Sequence, residues 1–311
     1  MLTSPKPIVV VGSINLDLVT NADHIPTAGE TVQGSGFQMH PGGKGANQAV
    51  AIAALGYPVH LIGKLGSDVL GEQLWSHLQS AGVDLAGVEK TEGASGTAVI
   101  VVGSQGENCI VVTPGANAQL SPAYVDSHLD LIRSAGLVLT QLEIPIETVE
   151  HLADLCFQEN IPLMLDPAPA KPLPPSLFKR ISWFTPNETE ANFYAHQCLD
   201  GSVGTDPGLT ASLLLDQGPA GVILKMGSRG AYLAADGIER QLSAFAVEAI
   251  DTTAAGDALN GAFAVGLMSG KTAVESVRFA VAAASLSVTR TGAQTSMPTL
   301  AEVTRMLDGR Q

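Results

Sequence analysis

The sequence predicts an α/β fold in which helices flank a mostly parallel central sheet and a small β lid covers its mouth. Short, continuously apolar runs alternate with helix-like segments, a pattern typical of strands that are covered on both faces. Two other stretches, 31–40 and 96–112, favour antiparallel strands beside glycine-rich segments. We therefore expect a single domain over residues 1–311, with the lid built from about 16–40 and 96–113.

The elements of the main layer follow one another in the order strand, helix, strand, helix. The run IVVV at 8–11 predicts the first strand, and 46–55 predicts a helix that Gly56 closes. A strand at 59–63 and a helix at 71–81 come next. Further short apolar runs, each near a helical pattern, lie at 137–141, 162–166, 183–185 and 222–225.

Two connections are irregular in this order. Residues 97–102 and 108–112 predict a hairpin through the intervening GSQG. Residues 201–207 are interpreted as a loop or insertion, not as a domain boundary.

Composition and charge exclude several classes of protein. The chain is 45% hydrophobic and 15% charged, which argues against global disorder. A formal charge of −14 gives no long-range attraction for nucleic acid or an anionic membrane. The sequence has no apolar run of transmembrane length. Its cysteines (Cys109, Cys156 and Cys198) form no CxxC, which suits a reducing cytoplasm.

Two common nucleotide motifs fail on their spacing. Gly270-Lys271-Thr272 resembles the end of a phosphate-binding loop, but Val265 stands where that loop needs its first glycine. The VGSI segment at 11–14 follows a strand without continuing as GxGxxG, so a Rossmann dinucleotide site is unsupported. The seven histidines show no metal-ligand spacing.

The segment DTTAAGDALNG at 251–261 carries the strongest chemical signal. It joins a strand-like run at 245–250 to a helix predicted at 258–269. Small residues before a helix leave backbone amides free to bind an anion, here the amides of Ala255, Gly256 and Asp257. Asp257 lies in the same turn and can accept a proton from an alcohol, as phosphoryl transfer requires. The alternative is an ordinary N-cap aspartate.

The segment PGGKGANQA at 41–49 is the second candidate. Its glycines permit a ligand to approach closely and provide a hinge, and Asn47 in the first turn of the next helix can face that ligand. The alternative is a flexible loop that caps a helix.

Five motifs in order resemble the PfkB family of carbohydrate kinases, over about residues 8–298. The TRTGAQTS segment at 289–296 is typical of the ribokinase branch of that family. The motifs are GSINLD at 12–17, GGKGANQA at 42–49, PNETE at 186–190, KMGSRG at 225–230 and DTTAAGD at 251–257.

The resemblance implies a ribokinase-like fold and ATP-dependent phosphorylation of D-ribose at O5, giving D-ribose 5-phosphate and ADP. It also implies Mg²⁺, activation by K⁺, a cytoplasmic location and a homodimer formed through the lid. One alternative is another kinase of the family, acting on deoxyribose, a nucleoside, fructose or a ketodeoxy sugar acid. Another is a sugar-binding relative that has lost catalysis.

The resemblance also assigns roles to residues. Asp257 is the implied general base, and Ala255 and Gly256 complete the implied anion hole. The implied sugar ligands are Asn15, Asp17, Gly42, Gly43, Lys44, Asn47 and Glu143. The implied ATP site comprises Asn187, Lys225, Met226, Gly227, Ser228, Arg229, Gly230 and Gly256. Asn187 and Glu190 are implied to organise Mg²⁺, and the implied K⁺ site comprises Asp251, Thr253, Ser287, Arg290, Gly292 and Ser296.

Several positions depart from the family pattern. Ala254 stands where the wider family often has Gly, and Pro41 precedes the double glycine. Ala258-Leu259 replaces the commoner Thr-Phe, and Val281 stands where some members of the branch have a His near the adenine. The last two departures bear on nucleotide packing.

Overall fold

The computed structural model describes residues 5–196 and 206–309. The main sheet has nine strands in the order β13-β12-β11-β10-β9-β8-β1-β4-β5. Its strands are β1 (Ile8–Val11), β4 (Val59–Gly66), β5 (Asp84–Thr91), β8 (Leu137–Gln141), β9 (Leu163–Asp166), β10 (Trp183–Phe184), β11 (Gly221–Lys225), β12 (Ala231–Ala235) and β13 (Ile238–Leu242).

The strands from β5 to β11 pair in parallel, and β12 and β13 add an antiparallel edge. This confirms the predicted mostly parallel sheet. Carboxyl ends of parallel strands meet at one edge, where α/β proteins bind their ligands. Gln141, Asp166 and Lys225 are the last residues of three of these strands and so share that edge.

The described part of the chain contains eleven α-helices. The first and last of them in the chain, α1 and α11, pack against the same face of the main sheet. The helices are α1 (Lys44–Ala54), α2 (Val69–Ser80), α3 (Pro122–Asp126), α4 (Leu129–Ser134), α5 (Ile146–Gln158), α6 (Pro175–Phe178), α7 (Glu188–His196), α8 (Pro207–Leu215), α9 (Ala255–Met268), α10 (Ala273–Ser287) and α11 (Leu300–Leu307).

The apolar core consists of one cluster on each face of the main sheet. In β1, Ile8 and Val10 pack into the cluster with α1, α9 and α10, whereas Val9 and Val11 pack into the cluster with α5. Both faces of this strand are covered, which explains why its sequence is continuously apolar. None of the helices described is long and apolar enough to cross a membrane.

A second, small sheet has the strand order β3-β2-β6-β7. Its strands are β2 (Asn15–Asn21), β3 (Gly36–Gly42), β6 (Gly96–Val102) and β7 (Asn108–Thr113), and β6 and β7 form the predicted hairpin. Because β2 follows β1 almost directly and β3 leads into α1, the small sheet lies beside the carboxyl edge of the main sheet.

Two expectations about these elements need comment. The strand-like run at 245–250 is not a strand: Phe245 donates its amide to the Ser285 hydroxyl and Ile250 donates to the Val288 carbonyl, so the segment runs along α10. Helix α9 begins at Ala255, earlier than predicted, after a left-handed Ala254. The loop expected at 201–207 lies largely outside the described residues, and Pro207 already begins α8.

Candidate active site

The Asp257 carboxylate is the centre of a polar cluster at the carboxyl edge of the main sheet. The residue lies in the first turn of α9 and is 4% exposed. Its Oδ2 accepts a hydrogen bond from Asn47 Nδ2 at 2.9 Å, and its Oδ1 accepts one from Gln48 Nε2 at 3.1 Å. Burial raises the pKa of Asp257, and so does the charge of Asp166, while Lys44 and the two amides oppose the rise.

Backbone amides at the start of α9 face the cavity beside this carboxylate. The amides of Gly256 and Asp257 have no hydrogen-bond partner among residues 5–196 and 206–309. The Ala255 amide donates to the Thr252 carbonyl at 3.3 Å, so it is partly engaged, unlike in the sequence-based expectation of three free amides. Two unpaired amides at a helix N-terminus remain available to an anion.

The glycine segment packs tightly against the turn between β1 and β2. A Cβ on Gly42 would overlap the Asp17 carboxylate, and one on Gly43 would lie 2.6 Å from the Asn15 amide nitrogen. Gly43 also has a φ of +86°, a conformation that favours glycine. Asn15 and Asp17 are thereby brought next to the start of α1.

Glu143 joins that turn to α1. Its Oε2 accepts hydrogen bonds from the Ser13 hydroxyl at 2.5 Å and from the Lys44 amide at 3.0 Å. One oxygen of this implied sugar ligand therefore holds the glycine segment in place.

Two other polar groups complete this side of the site. Burial first, and then the charges of Glu143 and Asp257, raise the pKa of Asp17 to about 7, with Lys44 opposing. Asn15 Oδ1 accepts from Asn117 Nδ2 at 2.7 Å, and Asn117 also bonds the backbone of Ile14. The sequence analysis missed Asn117, which lies within a short 3-10 helix (Gly115–Gln119) that carries no motif.

A cavity of about 650 Å³ opens beside Asp257. Its lining includes six of the implied ATP residues: Asn187, Lys225, Gly227, Ser228, Gly230 and Gly256. Two of the implied ATP residues, Met226 and Arg229, do not line the cavity. The Met226 side chain is buried in the core that contains Val222, and the Arg229 guanidinium pairs with Glu188 instead of lining the cavity. The Met226 side chain is therefore out of reach of a ligand in the cavity, and the Arg229 guanidinium lies outside the lining.

Sequence reasoning found the apolar wall of this cavity only at Leu259 and Val281, two positions that it expected to bear on nucleotide packing. The side chains of the wall come from the segment after β13 and from α9 and α10, and they include Phe245, Val247, Leu259, Val281, Ala284 and Val288. The apolar run at 245–250 was the available signal, but it was interpreted as a strand. An apolar wall beside unpaired amides suits a ligand with a flat ring and an anionic tail.

An ion pair between strand ends borders the same cavity. Lys225 Nζ lies 2.7 Å from Asp166 Oδ1, and the other Asp166 oxygen accepts from Gln48 Nε2 at 3.1 Å. Gln48 Oε1 in turn accepts from Gln141 Nε2 at 2.7 Å. Neither Asp166, Gln48 nor Gln141 was predicted as a site residue, although a polar residue that ends an apolar strand run was a usable signal.

Asn187 and Glu190 bind each other at the start of α7. The backbone amide of Asn187 donates to Glu190 Oε2, and its side-chain Nδ2 donates to Glu190 Oε1, both at 2.8 Å. In return, the backbone amide of Glu190 donates to Asn187 Oδ1 at 2.9 Å. Burial raises the pKa of Glu190, with Lys225 opposing and Asp166 adding to the rise. Because each carboxylate oxygen accepts only one of these bonds, each retains a lone pair for a water or a cation.

The implied K⁺ residues lie on the loop before α9, at the end of α10 and on the segment after α10, and Asp251 joins the two regions. Its Oδ1 accepts from Thr253 N at 2.9 Å and its Oδ2 accepts from Gly292 N at 2.8 Å. The Arg290 guanidinium turns away to Glu302 at 2.5 Å, which leaves its carbonyl as the group for a cation. Ser287 and Ser296 donate their hydroxyl hydrogens to nearby carbonyls, so their oxygens can still accept.

The arrangement suits proton abstraction next to a bound anion. A buried carboxylate, held by two amide donors, lies beside unpaired backbone amides and the cationic Lys44 and Lys225. Such a site can deprotonate an alcohol and stabilise a phosphoryl group during its transfer to that alcohol.

Comparison with known proteins agrees with this chemistry. The family model described as pfkB family carbohydrate kinase matches residues 6–300. Ribokinase of Bacillus subtilis is 44% identical over 303 residues, covering 97% of this chain and 99% of the relative. The structure of Arabidopsis thaliana ribokinase complexed with ribose and ATP superposes with a TM-score of 0.90 at 35% identity, over 98% and 99% of the two chains. Ribokinase of Thermotoga maritima gives a TM-score of 0.90 at 36% identity, over 97% and 99%.

Proposed function

The chain belongs to the pfkB family of carbohydrate kinases, and from that premise we propose that it transfers the γ-phosphoryl group of ATP to O5 of D-ribose. The products are D-ribose 5-phosphate and ADP. The observation that carries the proposal is the buried Asp257 carboxylate beside the unpaired amides of Gly256 and Asp257 at the mouth of the nucleotide cavity.

The reaction begins with proton transfer from the sugar. Asp257 accepts the proton of O5 while Asn47 and Gln48 keep its carboxylate in place. O5 then attacks the γ-phosphorus in line with the leaving oxygen of ADP. The amides of Gly256 and Asp257, aided by that of Ala255, stabilise charge on the equatorial oxygens.

The sugar binds between the small sheet and α1 in this proposal. Carboxylates and amides suit a polyol because they accept and donate hydrogen bonds to neighbouring hydroxyls. Glu143 holds the glycine segment in place by accepting from the Lys44 backbone amide. In this proposal, the polar groups around that segment face the sugar. The proposed sugar contacts are Asn15, Asp17, Gly42, Gly43, Lys44, Asn47 and Glu143.

Asn187 and Glu190 fit Mg²⁺ through an intervening water. Each Glu190 oxygen is already engaged by Asn187 yet keeps a lone pair, which favours an outer contact over direct ligation. When bound with ATP, Mg²⁺ neutralises charge on the β- and γ-phosphates. Asn187, Lys225, Gly227, Ser228, Gly230 and Gly256 are the proposed nucleotide contacts.

Asp251, Thr253, Ser287, Arg290, Gly292 and Ser296 fit a K⁺ site. The Asp251 carboxylate accepts from the amides of Thr253 and Gly292 and so ties the loop before α9 to the loop after α10. A monovalent cation held by these residues would stabilise the loop that carries the unpaired amides.

We propose that the small sheet is a lid that closes on the sugar and excludes water. One face of this sheet exposes apolar side chains, and Val111 is 60% exposed. Such a face is stabilised when a second copy of the chain covers it, which supports a homodimer. The strand register places the exposed Phe37, Met39 and Val99 on the same face as Val111, whereas the exposed Ile110 and Val112 lie on the opposite face.

The dimer is tested by the solution mass. Val111→Asp places a charge in the proposed contact and should convert a dimer into a monomer in light scattering. Val69→Asp is the matched control, because Val69 is 71% exposed at the start of α2 and lies off the small sheet. Equal masses for both variants and the parent protein would contradict a contact through this sheet.

We propose that the protein works in the cytoplasm. Cys109 is an exposed free thiol and Cys156 a buried one, which suits a reducing compartment, and ATP is available there. Fractionation of the native host with an antibody to the chain tests this, and recovery outside the cytoplasmic fraction would contradict it.

The catalytic proposal is tested by coupled ADP release with Mg·ATP and a panel of sugars and nucleosides, in K⁺ and in Na⁺. Fastest turnover with D-ribose, stimulated by K⁺, is the expected result. Faster turnover with deoxyribose, a nucleoside, fructose or a ketodeoxy acid would keep the kinase chemistry and overturn the substrate. An inactive protein that binds ribose would indicate a non-catalytic sugar-binding protein.

A further inference from the structure

The Gln48 side chain contacts both acids of the polar cluster. It lies on α1 and is fully buried. Its single Nε2 donates to Asp257 Oδ1 and to Asp166 Oδ2, both at 3.1 Å. A primary amide has two N–H hydrogens, so it can supply one to each carboxylate.

The orientation of this amide is determined on both sides. Gln48 Oε1 accepts from Gln141 Nε2 at 2.7 Å, which directs Nε2 towards the two acids. A flipped amide would place its oxygen between two carboxylates and leave buried acceptors facing each other, an arrangement that costs free energy. Gln141 is itself buried at the end of β8. The chain from Gln141 through Gln48 to the acids therefore has one stable direction of hydrogen bonding.

Charged or polar side chains on the neighbouring elements act on the Asp257 carboxylate. Lys44 on α1 attracts its charge and Asp166 on β9 repels it, while Asn47 supplies the other amide donor. Asp17 on β2 adds a more distant negative charge. Lys225 on β11 pairs with Asp166 on the oxygen that Gln48 leaves free. Among these groups, Gln48 alone hydrogen-bonds both carboxylates.

We propose that Gln48 is a positioning residue for the transfer reaction: its amide aims the Asp257 carboxylate at the acceptor hydroxyl and holds it beside Asp166 through one hydrogen bond to each. This inference rests on the proposed kinase function and adds a residue to its machinery. Two adjacent buried acids otherwise tend to hold one proton between them, which would block the base. The N–H donated to Asp257 stabilises its charged form, and the two N–H groups of Gln48 occupy the place that a shared proton would take.

The inference predicts a specific change when the donor is removed. Gln48→Met keeps the length and volume of the side chain but donates no hydrogen bond. We expect the acid limb of the kcat–pH profile to move up by about one pH unit or more, since a lost hydrogen bond to the charged form raises a carboxyl pKa. At neutral pH kcat should fall at least about tenfold and recover partly at higher pH, while KM for sugar and ATP changes less than about threefold.

Two further variants separate positioning from a general packing defect. Gln141→Met leaves Gln48 in place but removes the donor that orients it, so the same shift should appear with smaller size. Asn260→Leu is the matched control, since Asn260 is buried one turn after Asp257 and its amide has no partner among the residues described. It should leave the position of the acid limb unchanged.

The outcomes distinguish the inference from the proposed function. An unmoved acid limb in both Gln48→Met and Gln141→Met, or equal loss of kcat at every pH, would overturn the positioning role while wild-type turnover upheld the kinase. An inactive wild-type protein would instead overturn the proposed function. If Gln48→Met fails to fold, as judged by circular dichroism, Gln141→Met alone decides.

Discussion

Asn47 Nδ2 donates a 2.9 Å hydrogen bond to Asp257 Oδ2 and thereby ties the first turn of α1 to the first turn of α9. The Asn47 amide is held in turn by Gln294 Nε2, which donates to Asn47 Oδ1 at 3.1 Å and to the Gly42 carbonyl at 3.3 Å. Any movement of the glycine segment is thus transmitted to the groups that hold the base. A small sheet that closes through this segment can complete the site as the sugar binds.

Replacing the proposed base should abolish most turnover while preserving binding. Asp257→Asn keeps the shape of the side chain but cannot accept the proton, so kcat should fall by about 10²–10⁴. Calorimetry should give ribose and ATP affinities within a few-fold of wild type. A variant whose kcat stays within a few-fold of wild type would contradict the assignment of the base.

The stability of the protein should fall as the pH rises towards neutrality, partly because of Asp17. Its pKa is about 7 in the folded protein and near its ordinary value of 3.8 in the unfolded chain. Between these values the folded protein binds more protons, so the free energy of unfolding decreases with rising pH. Urea unfolding at pH 4.5 to 7.5 should show this slope, and Asp17→Asn should flatten it. An unchanged slope in the variant would contradict the raised pKa.

Removing only the Lys225 partner of the Lys225–Asp166 ion pair should destabilise the protein strongly. The two side chains are 11% and 2% exposed, so Lys225→Met leaves a nearly buried carboxylate without its cation. We expect a loss of about 3–5 kcal/mol in the free energy of unfolding. The double variant Lys225→Met with Asp166→Asn removes the stranded charge and should recover part of this loss. A single variant that loses less than about 1 kcal/mol would show that water reaches Asp166.

The protein should be more stable with glycine in place of Ala254. Its φ of +57° lies in the left-handed region, which costs a residue with a Cβ about 1–2 kcal/mol. The flexibility of glycine in the unfolded chain offsets about 0.5–1 kcal/mol of that gain. Ala254→Gly should therefore raise the free energy of unfolding by about 0.5–1 kcal/mol in urea titrations. Ala301→Gly in α11 is the control and should lower it, because that residue is helical.

The pattern of apolar residues in short segments was enough to predict the strands of the main sheet. Residues 8–11 are apolar throughout because both faces of β1 are covered, and the same reasoning located β8, β9 and β11. It failed at 245–250, where an apolar run lines a cavity and bonds to α10 instead of pairing as a strand. An apolar run reports burial, and burial against a ligand cavity gives the same pattern as burial in a sheet.

By itself, the sequence determined the α/β class, the hairpin of β6 and β7, and the family to which the chain belongs, because periodicity and ordered motifs are properties of short segments. The tertiary structure alone decided that Gln48 hydrogen-bonds both Asp166 and Asp257, which lie 118 and 209 positions away in the chain. It also decided that the Arg229 guanidinium pairs with Glu188 and does not line the cavity beside Asp257. Hydrogen bonds and ion pairs between distant segments depend on how the strands assemble at one edge of the sheet, and no local pattern encodes that assembly.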